Sequence, residues 1–468
     1  ILGTGTGSVI WGGAVTLNSH DLTIGKTSTT GSAQLNGGIT GTGNLVINNT
    51  GTTGTITLGT ATINNIGTIT NSGTATGAAI FNADIGSNVT NVIQNSATSA
   101  LTLNSASLNF ARATVSVGTL NITGSSAAAP AITNLSVAAG ATFNTLNTVG
   151  QALNLTSLNL GAGAGTTTLG IELGSASNYD SIVLTGDATA ANAVSFRLTG
   201  LTGFGPGVYT LISATSGLSG ATYGISSVSS LLTGSSFSLS STDSLVQLTA
   251  AASTGDFYWK GAANTSWSGF SGTSSNFTSD LAGTSNIFGT PGADSSVIFS
   301  ASDLTITSLS TTLDAAFNIK DLTFNSNVGT GPLSAITIAS GTGGSLTLTP
   351  AASTSGINLQ TGAPASVIIS APLVLAASQS WTVADAATVL NVSGGVTGNG
   401  FNLTKLGDGI LQLTTANAST YNGTTTITGG ILRAGSATAF SASSAVVIGA
   451  AGKLQLNGFN NTIASLSG

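Results

Sequence analysis

Apolar and polar residues alternate along this chain in very short runs, each closed by Gly or Asn. Gly54-Thr55-Ile56-Thr57-Leu58-Gly59, Ala61-Thr62-Ile63-Asn64-Asn65 and Gly67-Thr68-Ile69-Thr70-Asn71 succeed one another with almost nothing between them. Alternation with period two predicts strands buried on one face. The strands of a sandwich recur at about 8–12 residues; these recur faster. The pattern suits a solenoid, in which the chain turns a corner every few residues. Gly and Asn supply the left-handed backbone that such corners require. Helix signals are nearly absent, with a single Glu, Glu172, and no Met.

Gly37-Gly38-Ile39-Thr40-Gly41-Thr42-Gly43 returns as Gly394-Gly395-Val396-Thr397-Gly398-Asn399-Gly400, each leading into an Asn-Leu strand start. That separation is far longer than one coil, so the repeat is one of modules. The stretch from Ala250 to Asp256 reads as a linker, and the aromatic cluster Phe257, Tyr258, Trp259, Trp267 and Phe270 opens the second module. The predicted architecture is an all-β parallel β-helix in two modules, residues 1–252 and 255–468. At ~20 residues per coil and about 4.8 Å per step, it would have roughly 23 coils and a rod length on the order of 110 Å.

Composition strengthens this reading. Charged residues are 5% of the chain, 14 acidic and 8 basic, against about 25% in ordinary globular proteins. Like charges in adjacent coils would sit within about 5 Å of each other, so a stack of coils favours uncharged Thr, Ser and Asn ladders outside. Hydrophobic residues make up 41%, enough for a continuous core rather than a disordered chain. No apolar run approaches the ~18 residues of a membrane helix; the stretch Ala127 to Ile132 is short and contains Pro130. The net charge of −6 and the scattered Lys and Arg argue against nucleic acid. The chain has no Cys, hence no disulfide framework or thiolate metal site. It starts at Ile1 without a signal peptide, and neither Ile1 to Val9 nor Leu454 to Gly468 carries an ionisable side chain. Uncharged strand edges are ready to pair, so a segment of a longer precursor or a self-associating chain is expected.

One segment is specific. Leu403-Thr404-Lys405-Leu406-Gly407-Asp408-Gly409-Ile410-Leu411-Gln412-Leu413 continues through Asn417 and Tyr421-Asn422-Gly423-Thr424-Thr425-Thr426-Ile427 to Gly429-Gly430-Ile431-Leu432. It resembles the passenger-associated repeat of bacterial autotransporters, with Lys405, Gly407, Gly409, Tyr421, Gly423, Gly429 and Gly430 at motif positions. Trp259-Lys260-Gly261 with Trp267-Ser268 is similar to the opening of a passenger module. Tyr179-Asp180-Ser181-Ile182 through Thr185-Gly186, with Gly207-Val208-Tyr209, is similar to its closing region. The resemblance implies a right-handed parallel β-helix exported to the outer surface of a bacterium.

Candidate chemistry is sparse. The lone His, His20, stands beside Asp21, but adjacent strand residues point to opposite faces. Gly25-Lys26-Thr27 lacks the earlier Gly of a phosphate loop, and Gly161-Ala162-Gly163-Ala164-Gly165 lacks a following helix. Asp180 and Asp187, like Asp314 and Asp321, are spaced too closely in sequence to stack on one face, whereas glycoside hydrolysis needs two carboxylates within about 5–9.5 Å. The Thr-x-Thr phrases at 55, 60, 68 and 74 have no constant interval, so they read as β-propensity and not as an ice-binding face. No catalytic residue, cofactor or metal is expected. The aromatics Tyr258, Trp259, Trp267 and Phe270 suit a cap over the end of the solenoid, with stacking on a sugar ring as the rival. The expected function is a non-catalytic structural fibre; the alternatives are an adhesin that binds surface glycans and a carbohydrate-active β-helix.

Overall fold

The computed structural model describes residues 2–3, 7–27, 30–124, 130–229, 232–261, 264–271, 274–299, 308–325, 334–414 and 419–468. Ala127 and Asn417 lie outside them. Among the described residues there is no α-helix, and almost every strand pairs in parallel with the strand one coil on, forming a β-solenoid of about 18 turns. The chain separates into two compact units, Ile1–Leu231 with Ser238–Ala250, and Leu232–Phe237 with Ala251–Gly468.

In the first unit each coil has three sides. Leu22–Lys26, Ala33–Leu35 and Ile39–Thr40 belong to three different sheets, and Leu45–Asn49 returns to the first. Cross-coil hydrogen bonds join residues 22, 23 or 24 apart. The coil is thus longer than the ~20 residues expected, and the turns are fewer than 23. The reason is that each coil carries three strands and three corners, and the corners need residues of their own. One sheet has nine strands and a second has ten, each stacking strictly in chain order. The unit also includes antiparallel pairing between Gly207–Ser213 and Leu245–Ala252.

Alternation becomes columns. Leu22, Leu45, Ile69, Val92, Ala113, Leu135, Leu158 and Ala188 are successive register partners across eight coils. All but Leu22 are buried. Each inward side chain loses its water only because the coils on either side cover it, so the hydrophobic gain belongs to neighbours rather than to single coils. The adjacent inward column is Ile24, Ile47, Asn71, Gln94, Val115 and Val137. Its two amides are joined by one bond, Asn71 Nδ2 donating to Gln94 Oε1 at 2.8 Å, and each also donates to the Ser99 carbonyl, while Asn71 Oδ1 is buried without a partner. Outside, Asn104 donates to Asn82, Thr123 to Asn104 and Asn121 to Thr102, the neutral ladders that low charge permits.

The second unit repeats the principle. Phe257, Val297, Leu322, Ile357, Trp381, Lys405, Ile427 and Ile448 form one register column. Its first members continue a large aromatic and aliphatic core. A single lysine, Lys405, stands in this inward column. No helix of the described residues is long and apolar enough to cross a membrane.

Because a column residue supports the coils on both sides, truncating one is expensive. Leu135→Ala is expected to destabilise the first unit by about 2–5 kcal/mol, read as a lowered urea midpoint by circular dichroism. The exposed Thr133→Ala should shift that midpoint by much less.

Candidate functional site

Three places in the sequence carried a specific expectation. At the opening of the second unit, Trp259 and Trp267 are fully buried. Their ring centroids are 6.3 Å apart, and Phe277 stands edge-on to both, at 5.1 and 5.7 Å. Phe299 lies 6.0 Å from Trp259, and Phe317 lies 5.3 Å from Trp267. Trp267 Nε1 donates to Thr311 Oγ1 at 3.1 Å, and Asp314 accepts from Ser268, pinning the segment to the next coil. Neighbouring rings cover both indoles, so neither presents a free face to a sugar. Tyr258 and Phe270 remain half-buried, and the Tyr258 hydroxyl lies 3.5 Å from Asp256.

The passenger-type repeat explains its own lysine. Lys405 is fully buried, and its Nζ donates to the carbonyls of Leu406 at 2.7 Å, Gly407 at 2.8 Å and Gly429 at 3.3 Å. All three ammonium donors are used. Gly407 adopts φ +77°, a left-handed corner that turns its carbonyl to the lysine. Burial draws the Lys405 pKa down to about 8, with Asp408 pulling the other way. Tyr421 is buried, its hydroxyl 2.6 Å from Thr425 Oγ1. Gly423 admits no side chain, since a Cβ there would lie 1.9 Å from the Phe401 carbonyl oxygen. Gly409 packs against the preceding coil, and Gly429 and Gly430 carry the return strand Thr425–Ala434. The motif is a corner clamp built from an internal cation, not a site open to a ligand.

The Tyr-Asp region holds what sequence spacing missed. Asp180 does not meet Asp187; it meets Glu172, across the turn between them. Asp180 accepts from Thr145 Oγ1 at 2.7 Å, Glu172 N at 3.0 Å and Gln151 N at 3.1 Å. Glu172 accepts from Thr148 N at 2.7 Å. Both carboxyls are nearly inaccessible. Burial pushes Asp180 up to about 7 against its hydrogen bonds, with Glu172 adding repulsion. Burial raises Glu172 as well, opposed by backbone donors from residues 147 to 149. Tyr179 and Tyr209 cross edge-to-face at 5.1 Å beside them, and the Tyr209 hydroxyl reaches the Gly205 carbonyl at 2.6 Å. The pair fastens the 146–151 and 174–180 turns together. The signal in sequence was the lone Glu, which composition alone did not connect to Asp180.

Of the other acids, Asp187 accepts from Ser216, and Asp321 pairs with Lys320 at 3.7 Å, with Asp256 two register steps away adding repulsion. His20 is exposed, and Asp21 accepts from Asn44 N rather than from His20. Among the described residues no group of three or more His, Cys, Asp or Glu could hold a metal ion. A groove of about 290 Å³ lies over Ser419, Thr420, Phe440, Ser441 and Thr462, and two more lie on outward strand faces. One, of about 430 Å³, runs over Ser378, Ser380, Asn402, Thr404, Thr424 and Thr426. The other, of about 270 Å³, includes Arg112, Asn134, Ser136, Asn159, Asp187 and Thr189.

Parallel coils, an uncharged ladder exterior and the lysine corner define a passenger-type β-solenoid. Over 88 residues, 19% of its length, the chain is 47% identical to the protein named adhesin BmaC autotransporter of Brucella suis biovar 1 (strain 1330). The match takes in 2% of that protein's length. This likeness and the fold together fit an autotransporter passenger domain. No family model matches the chain, and no solved structure matches it.

The lysine corner and the acidic pair can each be tested. Lys405→Ala leaves three carbonyls without their donor, and at about 1–3 kcal/mol per buried unsatisfied group the second unit should melt several degrees lower in calorimetry. Lys405→Arg should not restore it, because a planar fork cannot aim at three converging carbonyls. Asp180 has a folded pKa of about 7 against 3.8 for the free group, so folding favours its protonated form. The stability that Asp180 contributes should therefore be full below about pH 4 and be lost as pH rises to about 7. Asp180→Asn should flatten that slope in thermal melts followed by circular dichroism.

Proposed function

We propose that this chain is a non-catalytic, adhesin-like segment of an autotransporter passenger, displayed on the outer surface of a bacterium. The observation that carries the reading is the 88-residue likeness to an autotransporter adhesin, seated in a chain whose fold is a parallel β-solenoid. The chemistry supports it. The acidic pair best placed for catalysis, Glu172 and Asp180, is closed to solvent and held by backbone donors. General acid–base work needs a carboxyl within reach of a substrate. What the exterior offers instead is a broad array of neutral hydroxyls and amides, suited to many weak contacts over several coils.

Beads coated with the full chain should adhere to matrix- or glycan-coated surfaces, and uncoated beads should not. No reducing sugar should appear when the chain is incubated with a polysaccharide panel. Release of sugar would refute the non-catalytic reading, and beads that fail on every surface would refute the adhesin reading.

A further inference from the structure

The groove in the first unit places uncommitted polar side chains beside an uncommitted cation. Its floor is four consecutive parallel strands, Arg112–Val117, Asn134–Val137, Ser157–Leu160 and Ala188–Ala190. Their inward residues, Ala113, Leu135, Leu158 and Ala188 among them, are core. Their outward residues stand in two rows. Arg112, Asn134 and Ser157 are register partners, as are Thr114, Ser136, Asn159 and Thr189.

Some other outward rows of this unit bind themselves. Asn82, Asn104 and Thr123 link coil to coil, as do Thr102, Asn121 and Asn144. Here Asn91 bonds to Thr114 and Ser157 to Asn134, and the linking then stops. Among the described residues, Ser136, Asn159 and Thr189 make no side-chain hydrogen bond, and Arg112 makes neither a hydrogen bond nor an ion pair. Four other cations are engaged, Lys405 and Lys260 by carbonyls, Lys320 by Asp321 and Arg433 by Gln455, while Arg197 is exposed but lines no described groove. Asp187, which accepts from Ser216, closes the far end.

We propose that this groove binds a short stretch of an acidic polysaccharide, with a sugar carboxylate on Arg112 and neutral hydroxyls on Ser136, Asn159 and Thr189. The inference rests on the adhesin-like reading and names its ligand class. A guanidinium presents a planar fork that matches a carboxylate with two parallel hydrogen bonds. The amide and hydroxyls both donate and accept, as sugar hydroxyls do. Length agrees: Arg112 and Asp187 are three inter-strand steps apart, roughly 14 Å at about 4.8 Å per step, so a run of a few sugars lies across the strands. Asp187 repels a second carboxylate at that end, so the bound stretch is acidic at the Arg112 end and neutral at the other. The groove has no aromatic side chain, so affinity comes from the ion pair and hydrogen bonds rather than from ring stacking.

The test is titration calorimetry of the full chain with oligogalacturonate, with a neutral galactose oligomer of the same length as comparison. Acidic oligomer should bind, weaken with added salt and outbind the neutral one. Arg112→Gln should weaken it by about tenfold or more, and Arg112→Lys by an intermediate factor through loss of the fork. Asp187→Asn should tighten it. Arg197→Gln, which changes an exposed cation outside the groove, should leave it unchanged. All these residues are exposed, so circular dichroism spectra should match the parent. Equal binding of the neutral oligomer, equal loss with Arg197→Gln, no loss with Arg112→Gln, or equally tight binding of an acidic peptide would each overturn the proposal. Absence of oligogalacturonate binding by a chain whose beads still adhere would overturn this inference alone; loss of both removes the adhesin reading too.

Discussion

Every coil of this protein takes its backbone hydrogen bonds from the coils above and below it. That dependence is the constraint from which the other features arise. A parallel stack brings equivalent residues of successive coils within about 5 Å, so any property of one position is multiplied along a column. Apolar residues multiplied in this way give the Leu45–Ile69–Val92 core. Neutral amides and hydroxyls give ladders that bond to themselves. Charges multiplied in this way would repel, and 5% charged residues is what remains when they are avoided.

The exceptions to that economy are informative because each one has a specific partner geometry. Lys405 enters the core column and survives there because three carbonyls converge on its ammonium. Glu172 and Asp180 are buried together, and the cost of that burial is offset by backbone donors of the turns they join. Asn71 and Gln94 replace aliphatic residues, bond to each other and both donate to the Ser99 carbonyl. In each case a polar group buried in the solenoid ties a corner or a turn, where the backbone leaves groups that no neighbouring coil pairs. Arg112 obeys the opposite logic, being exposed, unengaged and set in a groove.

The aromatic cluster of the second unit answers to the same constraint. Its coils need bulk where the stack begins, and Trp259, Trp267, Phe277 and Phe299 supply it by edge-to-face and offset contacts. Buried rings of this kind stabilise through area and geometry, and they present no open face to a ligand.

The architecture was legible in the residues alone. Alternation of period two, closed by Gly and Asn, allows only short strands with one buried face, and such strands bury it only by stacking. The passenger-type repeat was equally legible, since Lys405, Gly407 and Tyr421 each occupy a position whose geometry admits little else. Coil length was not: strand runs such as Gly67 to Asn71 are visible, but which of three sides each belongs to depends on corners that carry no periodic signal. Nor was the meeting of Glu172 with Asp180, because a turn between them, not a spacing, brings them together. The direction in which Trp259 and Trp267 face was hidden for a related reason. Aromatic residues in one dimension do not show which way they point, and the later coils set it by packing Phe299 and Phe317 over them. Whether an outward polar group is spent on its neighbour or left free, as at Arg112, Ser136 and Asn159, was likewise settled only by register, which sets distances that composition cannot.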